Sequence, residues 1–364
     1  MKNRVLLGTV ATAMLYSYSA LAADEKVLNV YNWSDYIAEG TLKKFEEETG
    51  IKVNYDVFDS NEVLEAKLLA GSTGYDVVVP SSSFLARQIQ AGVFQKLDKS
   101  KLPNLKNLDP EIATRVALHD PNNDHAITYM WGTVGIGYNT KMIAERMADA
   151  PTDSWDLVLK PDVVSKFADC GVSLLDAPDD VLQSVKDALD LDPNSEAKED
   201  LAKAQAALEA IRPSIRYFHS SQYISDLANG DTCVAVGWSG DVFQARDRAA
   251  EAEKGVEIGY TIPKEGTLIW FDMMAIPSDA KHVDNAHKFL DFIMRPDIIA
   301  EISNYVYYAN GNSASFDLID KDVTEDPAIY PPEAVKNNLT ASAVRSARYE
   351  RSQTRAWTKI KTGQ

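Results

Sequence analysis

Val27-Leu28-Asn29-Val30-Tyr31 and Tyr75-Asp76-Val77-Val78-Val79 are the outer strands of a βαβαβ run that decides the fold. Between them Ile51 to Phe58 alternates in part between apolar and polar residues and reads as the middle strand. Thr41 to Thr49 has helical spacing, with Leu42 and Phe45 on one face and Gly50 as a stop. A second helix is expected from about Asn61 to Ala70, with Asp59 as its cap, Glu62 three residues on and Gly71 at its end. Pro80 halts the third strand, and a further helix near Phe84 to Ala91 stops at Gly92. Strands alternating with helices imply a parallel sheet with right-handed crossovers. Ligands of such sheets sit beyond the carboxyl ends of the strands. That rule selects Asn32-Trp33-Ser34-Asp35-Tyr36 and Pro80-Ser81-Ser82-Ser83.

The pattern returns further on. Thr232 to Val236 reads as a strand feeding Gly237-Trp238-Ser239-Gly240-Asp241 into a helix. Leu268 to Ile276 reads as another, bearing Trp270, Phe271 and Asp272. Trp131 to Asn139 is Gly-rich and extended, suited to crossing between lobes. Residues 145 to 215 are expected to be mostly helical, with a loop at Asp192-Pro193-Asn194. The C-terminal segment gathers Arg345, Arg348, Arg351, Arg355, Lys359 and Lys361, either as a docking patch or as a basic strip tied to an acidic body.

The start of the chain has the marks of a secretory signal. Lys2 and Arg4 precede an apolar or small run from Val5 to Leu15, and Ala20-Leu21-Ala22 offers small residues for cleavage after Ala22. The run falls short of the ~20 residues that span a bilayer. Roughly 340 residues would remain, enough for two lobes rather than one core. The whole chain has 54 acidic and 37 basic side chains, a net charge of −17, and loss of Lys2 and Arg4 makes it two units more negative. Such a field repels nucleic acid and attracts cations. Cys170 and Cys233 are the two cysteines, and an even count in an exported chain points to one disulfide.

Catalytic and metal motifs are weak. Gly132-Thr133-Val134-Gly135-Ile136-Gly137 lacks the order and the strand-to-helix setting of a dinucleotide fingerprint. Gly237-Trp238-Ser239-Gly240-Asp241 departs from a nucleophile elbow at its fifth position. The five histidines, His119, His125, His219, His282 and His287, show no metal spacing. Neither a cofactor nor a metal is expected.

The positive signal is aromatic and acidic residues placed together at strand ends. Trp33 lies two before Asp35 and three before Tyr36; Trp238 lies three before Asp241; Trp270 lies two before Asp272. On a strand, Trp270 and Asp272 point the same way. Aromatic faces pack methylenes and attract a cation at ~0.5–2 kcal/mol each. Carboxylates accept charge-assisted hydrogen bonds of ~1.5–3 kcal/mol. Taken singly, each Trp suits core packing and Asp35 or Asp241 suits a helix cap. Taken jointly, they suit an alkyl ammonium.

At Val30-Tyr31-Asn32-Trp33-Ser34-Asp35-Tyr36-Ile37 the chain resembles the periplasmic polyamine-binding proteins of ABC transporters, the putrescine- and spermidine-binding PotF/PotD group. The likeness runs on through Tyr55 to Leu64, Leu102-Pro103, Ser154-Trp155-Asp156, Tyr217 to Tyr223, Gly237-Trp238 and Arg355 to Lys359. It implies an α/β, two-lobed periplasmic binding protein fold of type II-like form, with mixed sheets flanked by helices and a hinged cleft. It implies residues 23–131 plus 271–305 as one lobe and 132–270 plus 306–364 as the other. Trp33, Tyr36, Trp238, Trp270 and Tyr308 would be its aromatic box. Ser34, Asp35, Ser81 and Asp180 would be polar partners, Asp241 and Asp272 the principal carboxylates, and Cys170 and Cys233 a disulfide. The putrescine-type pattern has Phe in place of Trp270 and Glu in place of Asp180, so this chain leans to spermidine.

The resemblance therefore implies a monomeric, non-enzymatic capture protein of the periplasm that hands a polyamine to membrane permease subunits. Docking on a receptor as a polyamine sensor is a second possibility. A ferric-ion carrier using Tyr305, Tyr307 and Tyr308, or an exported hydrolase with Ser239 as nucleophile, are rivals with less in their favour.

Overall fold

The structure, a computed structural model, describes residues 26–363. The expected signal at 1–22 lies outside the described residues. Eleven strands follow in chain order: β1 Val27–Trp33, β2 Lys52–Phe58, β3 Val77–Val78, β4 Ala126–Asn139, β5 Val172–Leu174, β6 Tyr217–Phe218, β7 Val234–Trp238, β8 Ile258–Thr261, β9 Thr267–Ala275, β10 Ala309–Asn310 and β11 Leu339–Ala341. Along the hydrogen-bonded path the order is β2-β1-β3-β9-β4-β7-β5-β6.

Strand β4 divides this layer. Its first half, Ala126–Thr133, pairs antiparallel with β9, and its second half, from Val134, pairs antiparallel with β7. From Ile136 that half also pairs with β8. Around the first half, β1 runs parallel to β2 and β3. Around the second, β5 runs parallel to β6 and β7. Helices flank both halves, giving the mixed-sheet α/β architecture with two lobes that the sequence implied. Ala309 and Asn310 pair with Trp131 and Met130 in the first half.

Local chemistry accounts for most element ends. Gly50 caps the helix Thr41–Thr49 at φ 68°, where its N–H reaches the Glu46 carbonyl. That left-handed conformation suits glycine. The helix Asn61–Ala70 is capped by Ser60, whose side chain accepts from Val63 N, and not by Asp59. Both residue types cap well; the register is one residue later than expected, and Asp59 is freed to line the cleft. The stretch 145–215 is less uniformly helical than expected, because β5 interrupts it. β5 is three fully buried residues, too short to show a period.

Cys170 and Cys233 form a disulfide, with Cα atoms 5.5 Å apart. Each cysteine directly precedes or nearly precedes a strand, so the bond ties the starts of the neighbours β5 and β7. In the C-terminal helix Ala347–Thr362, Lys361 pairs with Asp176 at 2.7 Å. Arg345, just before it, donates to the carbonyls of Pro193 and Asn194. Arg348, Arg351, Arg355 and Lys359 are exposed.

Candidate functional site

One cleft, enclosing about 440 Å³ of non-atom space partly open to solvent, lies where the two halves face each other. It is lined by Trp33, Ser34, Tyr36, Ser81, Asp180, Trp238, Asp241, Trp270, Asp272 and Tyr308, all expected from sequence, and by Asp59, Asn61 and Ser220. Residues separated by more than two hundred positions thus meet; Trp33 and Trp238 end strands and Asp180 and Asp241 open helices, whereas Trp270 and Asp272 lie within β9 rather than at its end as expected.

Asp241 has the most constrained carboxylate. It sits in the first turn of the helix Ser239–Glu251, where the helix dipole favours negative charge. Tyr308 donates to Oδ1 and Tyr223 to Oδ2, each at 2.7 Å. Two glycines make this possible. A Cβ on Gly240 would lie 2.4 Å from Tyr308, and one on Gly237 would lie 2.5 Å from Tyr223. Without side chains there, both phenols reach the carboxylate. Burial nevertheless pushes the Asp241 carboxyl up to about 6, against the lowering effect of the two phenols.

Asp272 stands on β9, two residues from Trp270. Ser81 Oγ donates to its Oδ1 at 2.6 Å, and Asn61 holds Ser81 by accepting from its N–H and donating to its Oγ. The buried Tyr36 hydroxyl makes no well-formed hydrogen bond, yet it lies near enough to Asp272 for each to shift the other's proton affinity. Desolvation raises Asp272 to about 7, with Asp180 and Asp241 adding like-charge repulsion. Asp180, in the first turn of the helix Pro178–Ala188, accepts from Trp238 Nε1 at 2.7 Å. Burial raises it to about 7 as well.

The aromatic rings form a box. Trp33 meets Trp238 edge-on at 5.6 Å. Tyr308 meets Tyr36 at 5.3 Å and Trp270 at 5.1 Å, both edge-on. Trp33 donates its indole N–H to the Val79 carbonyl at 2.9 Å. No lysine, arginine or histidine is among the lining residues. Three desolvated carboxylates therefore face one space without a protein cation.

Asp35 stands apart from this group. It adopts φ 54°, a left-handed conformation that Asp tolerates, and its carboxylate pairs with Arg248 at 2.7 Å, about 39% exposed. Strand alternation from β1 does not extend past Trp33, so its side chain leaves the cleft. It joins the walls instead: the Asp35 carbonyl also accepts from Gln244 Nε2. On the opposite flank Arg87, held by Glu65 at 2.6 Å, reaches Glu350 at 2.7 Å. Asp59, Asn61 and Ser220 were missed by sequence reasoning. Asp59 follows the end of β2 and Ser220 the end of β6, so the strand-end rule, applied to every strand, would have nominated both.

Tyr305 is exposed and Tyr307 faces Asp247 rather than Tyr308, which argues against a phenolate metal site. Among the described residues no group of three His, Cys, Asp or Glu has metal-binding geometry, and no helix is long and apolar enough to cross a membrane.

Comparison with known proteins places the chain in a family. Residues 40–331 match the family described as bacterial extracellular solute-binding protein. The chain is 55% identical over 366 residues to the putrescine-binding periplasmic protein PotF of Escherichia coli, covering 100% of this chain and 99% of that one. It is 55% identical over 345 residues to the putrescine-binding periplasmic protein SpuD of Pseudomonas aeruginosa, covering 94% of each. Among solved structures, a putative spermidine/putrescine ABC transporter protein from Listeria monocytogenes superposes with a TM-score of 0.83 at 33% identity, covering 93% of this chain and 100% of that one. These relatives bind substrates for transport and are not enzymes. The chain belongs to the bacterial extracellular solute-binding proteins, in the group that holds the periplasmic polyamine-binding components of ABC transporters.

Proposed function

We propose that this protein captures a polyamine in the cleft between its lobes and delivers it to the membrane permease of an ABC importer, taking spermidine in preference to putrescine. The observation that carries the reading is the set of carboxylates, half-buried Asp180 with buried Asp241 and Asp272, inside an aromatic box with no protein cation. Buried charge without a partner is costly, and a closed cleft gains most from a ligand that brings the missing positive charge on an apolar thread. An ammonium would sit on Asp241, oriented by the phenols of Tyr308 and Tyr223. Methylenes would pack against Trp33, Trp238 and Trp270.

Closure follows the same electrostatics. In an open cleft water solvates each carboxylate; in a closed one the ligand must. The contacts of Arg248 with Asp35 and of Arg87 with Glu350 then complete the closed form. We take the two lobes to divide as the sheets do, with β4 crossing between them near Thr133–Val134.

The preference for spermidine rests on Trp270, whose indole offers a wider face than a phenyl ring for a longer methylene run, and on the short side chain of Asp180. The relatives at 55% identity carry putrescine in their names, so the choice is put to direct test. Isothermal titration with putrescine, cadaverine, spermidine and spermine should show binding of polyamines and none of sugars or neutral amino acids. Absence of any polyamine binding overturns the function, and tighter binding of putrescine than of spermidine overturns the preference. A second check is Trp270→Phe, which should weaken spermidine more than putrescine.

A further inference from the structure

The basic residues of the C-terminal segment divide into two sets. Arg345 and Lys361 are tied down, the first by the carbonyls of Pro193 and Asn194 and the second by Asp176. Arg348, Arg351, Arg355 and Lys359 are not. All four are exposed, and among the described residues none forms an ion pair; Arg355 reaches no more than the Ser352 hydroxyl. Steps of three, four and four residues set them in one row along the helix Ala347–Thr362. At 3.6 residues per turn the row covers about 80° of the helix surface and about 17 Å of its length. It faces away from the buried side, which Tyr349, Gln353, Ala356, Trp357 and Ile360 supply.

Composition alone would not leave such a row bare. The chain has 54 acidic against 37 basic side chains, so carboxylates are in excess. Yet the one carboxylate of this helix, Glu350, goes to Arg87, off the row. On the neighbouring helix Lys198–Ile211, Asp200 goes to Ser195 and Lys203, and Glu199 shares a groove with Arg348 without pairing to it. Like charges three and four residues apart on a helix repel one another. The helix dipole accounts for Lys359, in the last turn, but for none of the three arginines. The arrangement is unfavourable in the free protein and is relieved by an anionic partner.

The partner's chemistry follows from the shape of the row. Arginine forks match carboxylates in pairs of hydrogen bonds. An anionic lipid surface fits poorly. The exposed face of the helix has no aromatic or large aliphatic side chain to enter it, and a broad negative plane would also meet the acidic remainder of the chain. A narrow acidic segment touches the row alone. We propose that Arg348, Arg351, Arg355 and Lys359 dock an acidic helical segment of another protein, whose carboxylates recur at the same three- and four-residue steps. None of the four lines the cleft, so this surface is separate from the polyamine site.

The test uses a synthetic peptide of Ala-Ala-Ala-Glu repeats and its counterpart with Gln for Glu. Binding to the full mature chain is read by fluorescence anisotropy at low ionic strength, where exposed charges are least screened. The Glu peptide should bind at least about tenfold more tightly than the Gln peptide. The double variant Arg351→Glu, Arg355→Glu should lose at least about tenfold of that affinity while its titration with putrescine stays unchanged. No preference for the Glu peptide overturns the proposal. So does a double variant that binds the peptide as the unaltered protein does, since the contact would then lie elsewhere. Vesicles of phosphatidylglycerol and phosphatidylcholine that bind more tightly than the peptide, and lose binding with the same variant, would give the row to lipid and overturn it as well. If the variant does not fold, amide resonances of the unaltered protein decide. Peptide-induced shifts centred on 347–362 support the docking, and shifts centred elsewhere refute it.

Discussion

Replacing Asp241 with Asn should separate binding from stability, and the two effects should have opposite signs. The carboxylate is buried, opens a helix, and accepts from Tyr223 and Tyr308. Removing the charged partner of a buried cation costs ~2–5 kcal/mol, which raises Kd roughly thirtyfold to several thousandfold. The ligand-free protein should respond otherwise. Its Asp241 carboxyl is raised from 3.8 to about 6, mainly by desolvation. Protonation is favoured on folding, so this group's contribution is full below pH 3.8 and is lost as pH rises through about 6. At pH 7.5 the ionised carboxylate therefore opposes folding by roughly 3 kcal/mol. Asn cannot ionise and keeps both phenols within hydrogen-bonding reach. Titration calorimetry and thermal melts at pH 7.5 should show a large loss of affinity with no fall in ligand-free melting temperature. Unchanged affinity would refute the placement of the ligand. A fall in both quantities would mean that Asp241 serves the fold, as a helix-end anchor for the two tyrosines.

The same electrostatics predicts that spermidine binding weakens as pH falls from 8 to 5, since Asp180 and Asp272 titrate near 7 and Asp241 near 6. At pH 6.5 capture should release protons, so the measured heat should vary with the ionisation enthalpy of the buffer; buffer-independent heat would contradict it. Gly240→Ala places a methyl against Tyr308 and should lower affinity at least tenfold through loss of the Tyr308–Asp241 contact, measured by titration. Breaking the Cys170–Cys233 bond frees a loop with a sequence separation of 63. Loss of that constraint should cost about 4 kcal/mol in denaturant melts, while ligand affinity persists in whatever protein stays folded. A melting curve insensitive to reduction would argue against the bond in solution.

Much of this architecture was legible because hydrophobic period and punctuation agree. Thr41–Thr49 reads as a helix from Phe45 and Gly50 alone, and Val27–Trp33 as a strand from its β-branched and aromatic content. β5 was invisible, since three residues buried on all sides have no period. The cap of the next helix slipped by one because Asp59 and Ser60 are both competent and only tertiary contacts decide between them. Within the site, the spacing of Trp238 to Asp241 and of Trp270 to Asp272 picked out residues that line the cleft, although the second pair lies inside β9 and not at its end. Asp35 failed the same rule because its backbone enters the left-handed region, which no residue spacing announces. Tyr223 was unforeseen as the second phenol on Asp241: it lies inside a helix, and only Gly237 lets it approach.

Strand β4 has one more consequence. Its fourteen residues form a single extended piece whose ladder changes partners midway, with no loop at the change. Lobes tied by a flexible tether would sample many mutual orientations and lose that freedom whenever a solute was trapped. Here the backbone itself leaves few orientations to lose. For the closure proposed above, the swing would then be a twist about this strand, with part of the entropy of bringing the two jaws together surrendered already when the chain folds.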